Sequence, residues 1–236
     1  MLKKFRLILG LISIVLAVTS CQLATVRSLS EDDEAKAGFD PHNYVHEMWE
    51  TRFVPTFLES AVEINQLLAE IRADRDAAIT AHGNRSGTGN FSFMVHGEAR
   101  VLEVDTESRI GLMSVDFDPF DGQPDANIAI GPVIRRTNNA AIDAVGFIRF
   151  NDFVNQTEFA SVSDAIKSRI LTEVLEPLDL PSLQDQTIAF YGAFTLDDVN
   201  NMEIVPIRIV LTTGRRWLCT GRVMTAVLMM MPLSGQ

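Results

Sequence analysis

The chain has 236 residues, of which 47% are hydrophobic, and a formal net charge of −11 at pH 7. This length and apolar content suffice for one hydrophobic core, or for one core with a helical appendage. The surplus of acidic groups repels phosphate backbones, so nucleic acid is not expected as a partner.

The first 20 residues have the features of a bacterial lipoprotein signal peptide. Basic residues at the start precede an apolar run at 7–18, which is shorter than the roughly 20 residues of a transmembrane helix. The run ends in VTSC at 18–21, the pattern of a lipobox, in which the cysteine receives a diacylglycerol and becomes the first residue of the mature chain. Cys21 is therefore the predicted lipidation site, and its acyl chains would anchor the protein to a membrane. An uncleaved anchor and an ordinary secretory signal are the alternatives.

The predicted location is the periplasmic side of the cell envelope. Removal of residues 1–20 leaves 17 basic and 31 acidic residues, a net charge of −14. Gln22 follows the cysteine, where an Asp would favour retention in the inner membrane, so the outer membrane is favoured in a bacterium with two membranes. With Cys21 lipidated, Cys219 has no intramolecular partner, and no disulfide framework is expected.

A tether and a helical segment are predicted next. Residues 21–38 are polar and acidic and predict a flexible tether. Asp40 and Pro41 are typical of a helix N-cap followed by its first helical residue. Apolar residues then recur at helical spacing, with a break or a new start expected at Pro55. Two helices in contact are therefore predicted over 39–82.

A glycine-rich loop at 83–90 separates this segment from a region in which the apolar period changes to two. The pattern predicts strands at 91–104, 110–117 and 127–134, a helix at 152–175 with Asp152 as its N-cap, and strands at 187–196 and 203–211. Gly97 inside the first strand predicts a bulge or a sharp coil, and Pro206 predicts an edge or a strand start. Three strands, a helix and two strands predict an α+β protein with an OB-fold-like small β-barrel over 91–211. A mixed α+β sheet is the competing arrangement.

The C-terminal tail at 212–236 differs from the rest of the chain. It contains three arginines and no acidic residue, and its apolar run at 223–231 is too short to span a bilayer. A packed extra strand, a surface-seeking segment and an aberrant end of the reading frame all stay open for it.

Several segments of the chain resemble a bacterial family of predicted periplasmic lipoproteins, which is catalogued as a domain of unknown function. The matching blocks are IGPVIR at 130–135, AVGFIRFNDFVNQ at 144–156, YGAF at 191–194, VPI at 205–207, and Tyr44, Val45 and Trp49. The resemblance covers about residues 21–211. Members of that family are often encoded beside sugar ABC transporters of the ribose or xylose type and have no established activity. The resemblance therefore implies a sugar ABC transporter, or its solute-binding protein, as a partner.

One group of polar residues is the predicted ligand site. It consists of Arg135, Asn138, Asn139, Asp143, Asn151, Asp152, Asn155 and Gln156. Planar amides and carboxylates fork hydrogen bonds to the vicinal hydroxyls of sugars, and Phe150 and Phe153 offer faces on which a sugar ring stacks. The alternative is that these side chains cap helices and satisfy the ends of strands.

A second motif lies on the first predicted helix. His42, His46 and Glu50 fall at i, i+4 and i+8, a spacing that presents two imidazoles and a carboxylate on one helix face. The sequence departs from the zinc-peptidase helix because Glu50 stands where the second histidine is required. A solvated polar face is favoured, and a metal-dependent hydrolase is the remote alternative.

A third motif is an acidic loop between two predicted strands. It contains Asp116, Asp118, Asp121, Gly122 and Asp125. Calcium loops also concentrate carboxylates around a glycine, but here the EF-hand spacing fails and Asn127 occupies the position of the closing glutamate. Turn chemistry between strands is therefore favoured.

The sequence contains no recognisable nucleophile motif, phosphate loop or supported pair of catalytic acids, so neither catalysis nor a cofactor is expected. The predicted function is that of a lipid-anchored extracytoplasmic binding or accessory module that assists a sugar ABC transport system. The alternative is a structural envelope lipoprotein whose protein partner is unrelated to sugar uptake.

Overall fold

The computed structural model describes residues 39–212 apart from 136, 137, 198 and 200. The lipobox with Cys21, the tether and the tail from residue 213 lie outside the described residues. Within the described part, no helix is long and apolar enough to cross a membrane.

The first helix, α1 (Pro41–Met48), begins as predicted. The side chain of Asp40 accepts hydrogen bonds from the backbone N–H groups of His42 (2.9 Å) and Asn43 (3.2 Å), and Pro41 occupies the first turn, where its missing donor costs nothing.

Of the break or new start expected at Pro55, the structure has the new start, and the helical conformation is not interrupted there. A π-helical turn (Trp49–Phe53) follows α1 directly, and α2 (Val54–Ser60) continues from it with Pro55 in its first turn. In a regular α-helix the proline ring would clash with the carbonyl four residues earlier, and the π turn changes that spacing. The hydroxyl of Thr56 donates to the carbonyl of Arg52 at 2.7 Å, which gives this carbonyl a partner beside the π turn.

The chain leaves the helical conformation at Ala61 instead (φ −66°, ψ 138°). A two-residue strand, β1 (Val62–Glu63), precedes α3 (Ile64–Ala73) and α4 (Arg75–His82). The prediction of two helices is therefore wrong, because the second, expected from Pro55 to the end of the segment, is divided at 61–63 and again at Asp74. Glu63 and Asp74 are the N-caps of these two helices, and each side chain accepts a backbone N–H of the first turn.

Five strands close into a barrel within the described residues. They are β2 (Ser92–Val104), β3 (Leu112–Phe117), β4 (Ala126–Ala129), β5 (Thr187–Thr195) and β6 (Met202–Leu211). Their order around the barrel is β2, β3, β4, β6 and β5, and β5 pairs with β2 to complete the circuit. The pair β4–β6 is parallel and the other pairs are antiparallel. The predicted OB-fold-like barrel is thereby confirmed, and the open mixed sheet is not what forms.

The long strand β2 serves two neighbours, pairing with β5 over 92–100 and with β3 over 99–104. The irregularity predicted at Gly97 lies instead between Val101 and Glu103. Gly97 has a different role, which is to leave room for Ile64 at the start of α3. A Cβ at position 97 would stand 2.8 Å from the Cγ2 of Ile64. The glycine lets the helical segment approach the barrel closely.

Strand β4 is shorter than predicted. The backbone N–H groups of Ile130 and Gly131 both donate to the carbonyl of Gly111, at 3.0 and 2.9 Å. A Cβ on Gly131 would lie 2.1 Å from the backbone nitrogen of Gly111. The absence of side chains at these two glycines therefore lets their backbone segments approach each other closely. The strand predicted at 127–134 therefore ends at Ala129.

Helices fill the connection between β4 and β5. The short helix α5 (Ala140–Val145) was not predicted, and a 3-10 turn (Phe150–Asp152) leads into α6 (Gln156–Arg169). A π-helical turn (Ile170–Leu175) and a 3-10 turn (Leu180–Leu183) follow α6. The N-cap of α6 is Asn155 and not Asp152, because the carboxylate of Asp152 accepts the backbone N–H of Arg149 in the preceding turn.

One hydrophobic core joins the helical segment to the barrel. On the helical side, the stacked rings of Trp49 and Phe53 lie 5.1 Å apart and Phe57 packs beside them. In the barrel, Phe93 and Phe194 stack at 5.6 Å.

Candidate functional site

The residues of the predicted ligand site fall into three places. Arg135 and Asn138 lie on the outer face of the barrel, the half-buried Asn139 and Asp143 link α5 to α6 and to the 83–90 loop, and 151–156 form the exposed start of α6. The grouping that the sequence predicted is therefore not one site.

The group on the barrel is built around Glu203 of β6. The Nη1 of Arg135 lies 2.8 Å from its Oε2, and the Nδ2 of Asn138 donates to its Oε1 at 2.9 Å. The side chain of Glu203 is 17% exposed and that of Arg135 is 49% exposed. Both carboxylate oxygens are thus engaged, while much of the guanidinium still faces solvent.

A row of polar residues continues from Glu203 across the barrel. In the strand register, Glu203 lies opposite Asn127 of β4, Asn127 opposite Ser114 of β3, and Ser114 opposite Glu103 of β2. The hydroxyl of Ser114 donates to the Oδ1 of Asn127 at 2.9 Å. The row lies on the outer face because its neighbours along the strands, such as Ile128, are buried in the core. We call Ser114, Asn127, Arg135, Asn138 and Glu203 the polar row.

Sequence reasoning missed Ser114, Asn127 and Glu203. The period-two pattern places each of them on the solvent side of its strand, which is the available signal. It does not reveal which outward residues of different strands stand side by side, because that depends on register.

The second group is a partly buried network. The Oδ1 of Asn139 accepts the hydroxyl of Ser163 at 2.8 Å and the Nζ of Lys167 at 3.0 Å, and Lys167 is only 7% exposed. Asp143 accepts the backbone N–H and the hydroxyl of Ser86 in the 83–90 loop. Burial raises the pKa of the Asp143 carboxyl, while the bonds from Ser86 and the charge of Lys167 oppose that rise. These contacts fasten α5 to α6 and to the loop, and they leave the two side chains turned inward.

The third group stabilises the start of α6. The Oδ1 of Asn155 accepts the N–H of Glu158 at 2.9 Å, and the Oε2 of Glu158 accepts the N–H of Val154 at 3.0 Å. This exchange is close to a capping box. Asn151 and Gln156 are exposed. Capping, the alternative reading of this segment, therefore fits Asn155.

The histidines of α1 line a groove of about 480 Å³ against α6. Its lining residues are His42, Val45, His46, Ala165, Ser168, Arg169, Thr172 and Glu173. Arg169 bonds the Nδ1 of His46 at 3.0 Å and the Oε1 of Glu173 at 2.7 Å. Glu50 is exposed and is not among the lining residues. In the part of the chain that the structure describes, no group of three or more His, Cys, Asp or Glu residues is arranged to hold a metal ion.

The acidic loop mostly bonds its own backbone. Asp116 accepts the N–H of Gly122 at 2.7 Å, Asp125 accepts that of Phe117 at 2.7 Å, and Asp121 accepts that of Gln123 at 2.8 Å. These are the bonds of turn chemistry, as favoured from the sequence.

A closed barrel with this strand order and a helix between its third and fourth strands defines an OB-fold protein. A crystal structure of an OB-fold protein from Thermotoga maritima is similar, with a TM-score of 0.61 over 74% of this chain and 99% of that one. The two sequences are 17% identical, so the likeness shows the fold alone. An OBody bound to hen egg-white lysozyme also matches, at 11% identity over 57% of this chain and 87% of that one, but its TM-score of 0.24 carries no argument.

The family model described as "Predicted periplasmic lipoprotein (DUF2291)" matches residues 11–210. The chain belongs to this family. Its description agrees with an envelope protein on the periplasmic side that is anchored to a membrane through lipid. No curated protein matches the chain.

Proposed function

We propose that this protein is a non-enzymatic binding module of the periplasm, held to a membrane by acyl chains on Cys21, whose polar row binds a hydroxyl-rich ligand. Its proposed role is to assist a sugar ABC transport system, either by binding the sugar or by holding the solute-binding protein near the membrane. The outer membrane is the proposed location.

The observation that supports this proposal is the alignment of Asn127 and Glu203 on adjacent strands, with Arg135 held against the carboxylate. A planar amide, a carboxylate and a half-exposed guanidinium are the groups that fork hydrogen bonds to neighbouring hydroxyls. The charges of Arg135 and Glu203 compensate each other, so the pair suits an uncharged ligand. Asn127 and Glu203 stand on regular strands, which hold side chains more rigidly than a loop would.

The fixed hydrogen bonds of the acidic groups support a binding role. Both oxygens of Glu203 accept hydrogen bonds from Arg135 and Asn138, and Asp143 is turned towards Ser86. Each carboxylate oxygen has two lone pairs, so Glu203 is held in one orientation and can still accept bonds from ligand hydroxyls.

The test is thermal unfolding and titration calorimetry of the lipidated protein in detergent against pentoses, hexoses and polyols. We expect one sugar class to raise the unfolding temperature, and we expect Asn127→Ala to abolish this shift. Asn151→Ala is the matched control, since Asn151 is an exposed amide that lies outside the polar row. The absence of stabilisation by every sugar, together with failure to co-purify a solute-binding protein, would contradict the proposal.

Deletion of the gene separates this proposal from the structural alternative. A sugar accessory module predicts slower uptake of the bound sugar in the deletion strain. Unchanged uptake, combined with crosslinking from position 135 to an envelope protein unrelated to transport, would instead support the structural lipoprotein.

A further inference from the structure

An aromatic surface lies where the described chain begins. It consists of Phe39, Tyr44, Phe150, Phe153 and Phe159, together with Val154. The rings form a continuous series in which Phe153 lies 5.8 Å from Phe39, 5.9 Å from Tyr44 and 5.7 Å from Phe159, and Phe159 lies 5.7 Å from Phe150. Its most exposed members are Val154, which is 88% exposed, and Phe150, which is 40% exposed.

The exposed tip of this surface is held in place. The backbone N–H of Val154 donates to Glu158, and the carboxylate of Asp152 accepts the N–H of Arg149, so both sides of the tip are fixed by hydrogen bonds. A valine that is exposed at the end of such a braced turn gains nothing from folding. Its apolar surface is available to another apolar phase.

The position of the aromatic surface indicates that this apolar phase is the lipid bilayer. Phe39 belongs to the aromatic surface and is also the first described residue after Cys21 along the chain. The 18 residues at 21–38 span at most about 65 Å when fully extended, so a lipid on Cys21 keeps the aromatic surface within reach of the bilayer. At the resulting effective concentration, a weak contact suffices for occupancy.

We propose that the aromatic surface is a membrane contact that rests on the leaflet holding the lipid anchor, with Val154 and Phe150 inserted at the level of the headgroups. Aromatic rings concentrate at the interface between hydrocarbon and water, where an apolar body meets a polar edge. The carboxylates of Asp40, Asp152 and Glu158 border the surface, so the contact is apolar and shallow and does not depend on anionic lipid. The polar row serves a separate purpose, and the membrane contact does not require its ligand.

The experiment uses the full lipidated chain with Cys219→Ser, in vesicles of phosphatidylethanolamine and phosphatidylglycerol that contain brominated phosphatidylcholine. An environment-sensitive fluorophore is attached to Val154→Cys, or to Val210→Cys as the matched control. Val210 is far from the aromatic surface, because it pairs with Ala189 near the first residue of β5. Phe150 bonds the 83–90 loop, which leads into β2 at Ser92, and Ser92 pairs with the last residue of β5. About six residues of strand, roughly 20 Å, separate these two ends.

We expect bromine to quench the probe at position 154 several-fold more strongly than the probe at position 210. In the 154-labelled protein, Phe150→Asp should remove the strong quenching and Val210→Asp should preserve it. Added salt should not weaken the quenching, because the contact is apolar and salt screens the repulsion between the bordering carboxylates and phosphatidylglycerol. Equal quenching at both positions would overturn the proposal, as would crosslinking from position 154 to a protein without quenching by lipid. Sugar titrations of the same samples report on the polar row independently, so failure of one proposal is distinguishable from failure of the other.

Discussion

At the scale of single residues, Asp143 and Glu203 show how the same chemical group is used in two ways. Glu203 stands on the barrel surface, where its two oxygens contact the guanidinium of Arg135 and the amide of Asn138. Asp143 is turned inward to Ser86, and burial raises the pKa of its carboxyl. The first arrangement keeps a charged acceptor at the surface, and the second places an acid where its ionisation opposes folding.

The pH dependence of stability tests the state of Asp143. Because its pKa is raised in the folded state, its contribution to stability is fully present below the unfolded pKa of about 4 and is lost as pH rises through the folded pKa. We therefore expect Asp143→Asn, whose amide oxygen still accepts from Ser86, to gain stability relative to wild type as pH rises from about 4 to 7. Urea unfolding at a series of pH values measures this difference. Glu176→Gln, which removes an exposed carboxylate, should show no such trend, and a parallel trend in both variants would contradict the interpretation.

At the scale of elements, local signals predicted what local physics determines. The capping of α1 by Asp40 and the positions of β5 and β6 follow from cap residues and periodicity. The π turn after α1 and the two-residue strand β1 were missed, because they depend on how the helical segment fits against β2. For the same reason the polar row could not be predicted, since strand register sets its neighbours.

The N-cap of α6 provides a quantitative test at this scale. Asn155→Ala removes the acceptor for the N–H of Glu158 and should lower the free energy of unfolding by about 1 kcal/mol. Asn151→Ala replaces the same residue type at an exposed site four positions earlier. It should change the free energy of unfolding by less than about 0.5 kcal/mol. Denaturant unfolding of both variants measures these values. Equal losses would mean that Asn155 does not act as the cap.

At the scale of the whole molecule, the sequence left open one core or one core with a helical appendage, and the structure joins the helical segment and the barrel in one core. Trp49 and Phe57 of the helical segment belong to the same buried cluster as Phe93 of the barrel. The close approach at Gly97 and the pairing of β1 with β2 add backbone contacts to this shared core. Periodicity identifies which residues are buried, but it does not say against which partner they are buried.

A shared core predicts one cooperative unfolding transition. In a Trp217→Phe background, the fluorescence of Trp49 reports on the helical segment, while far-UV circular dichroism reports on the secondary structure as a whole, including the barrel. We expect the two urea transitions to coincide. Phe57→Ala empties a fully buried site and should lower the free energy of unfolding obtained from both probes by roughly 3–5 kcal/mol. Leu58→Ala, at the adjacent position, which is 38% exposed, should change the free energy of unfolding from either probe by no more than about 0.5 kcal/mol. A fluorescence transition at lower urea than the loss of dichroism would mean that the helical segment unfolds while the barrel persists, and the two would then be separate units.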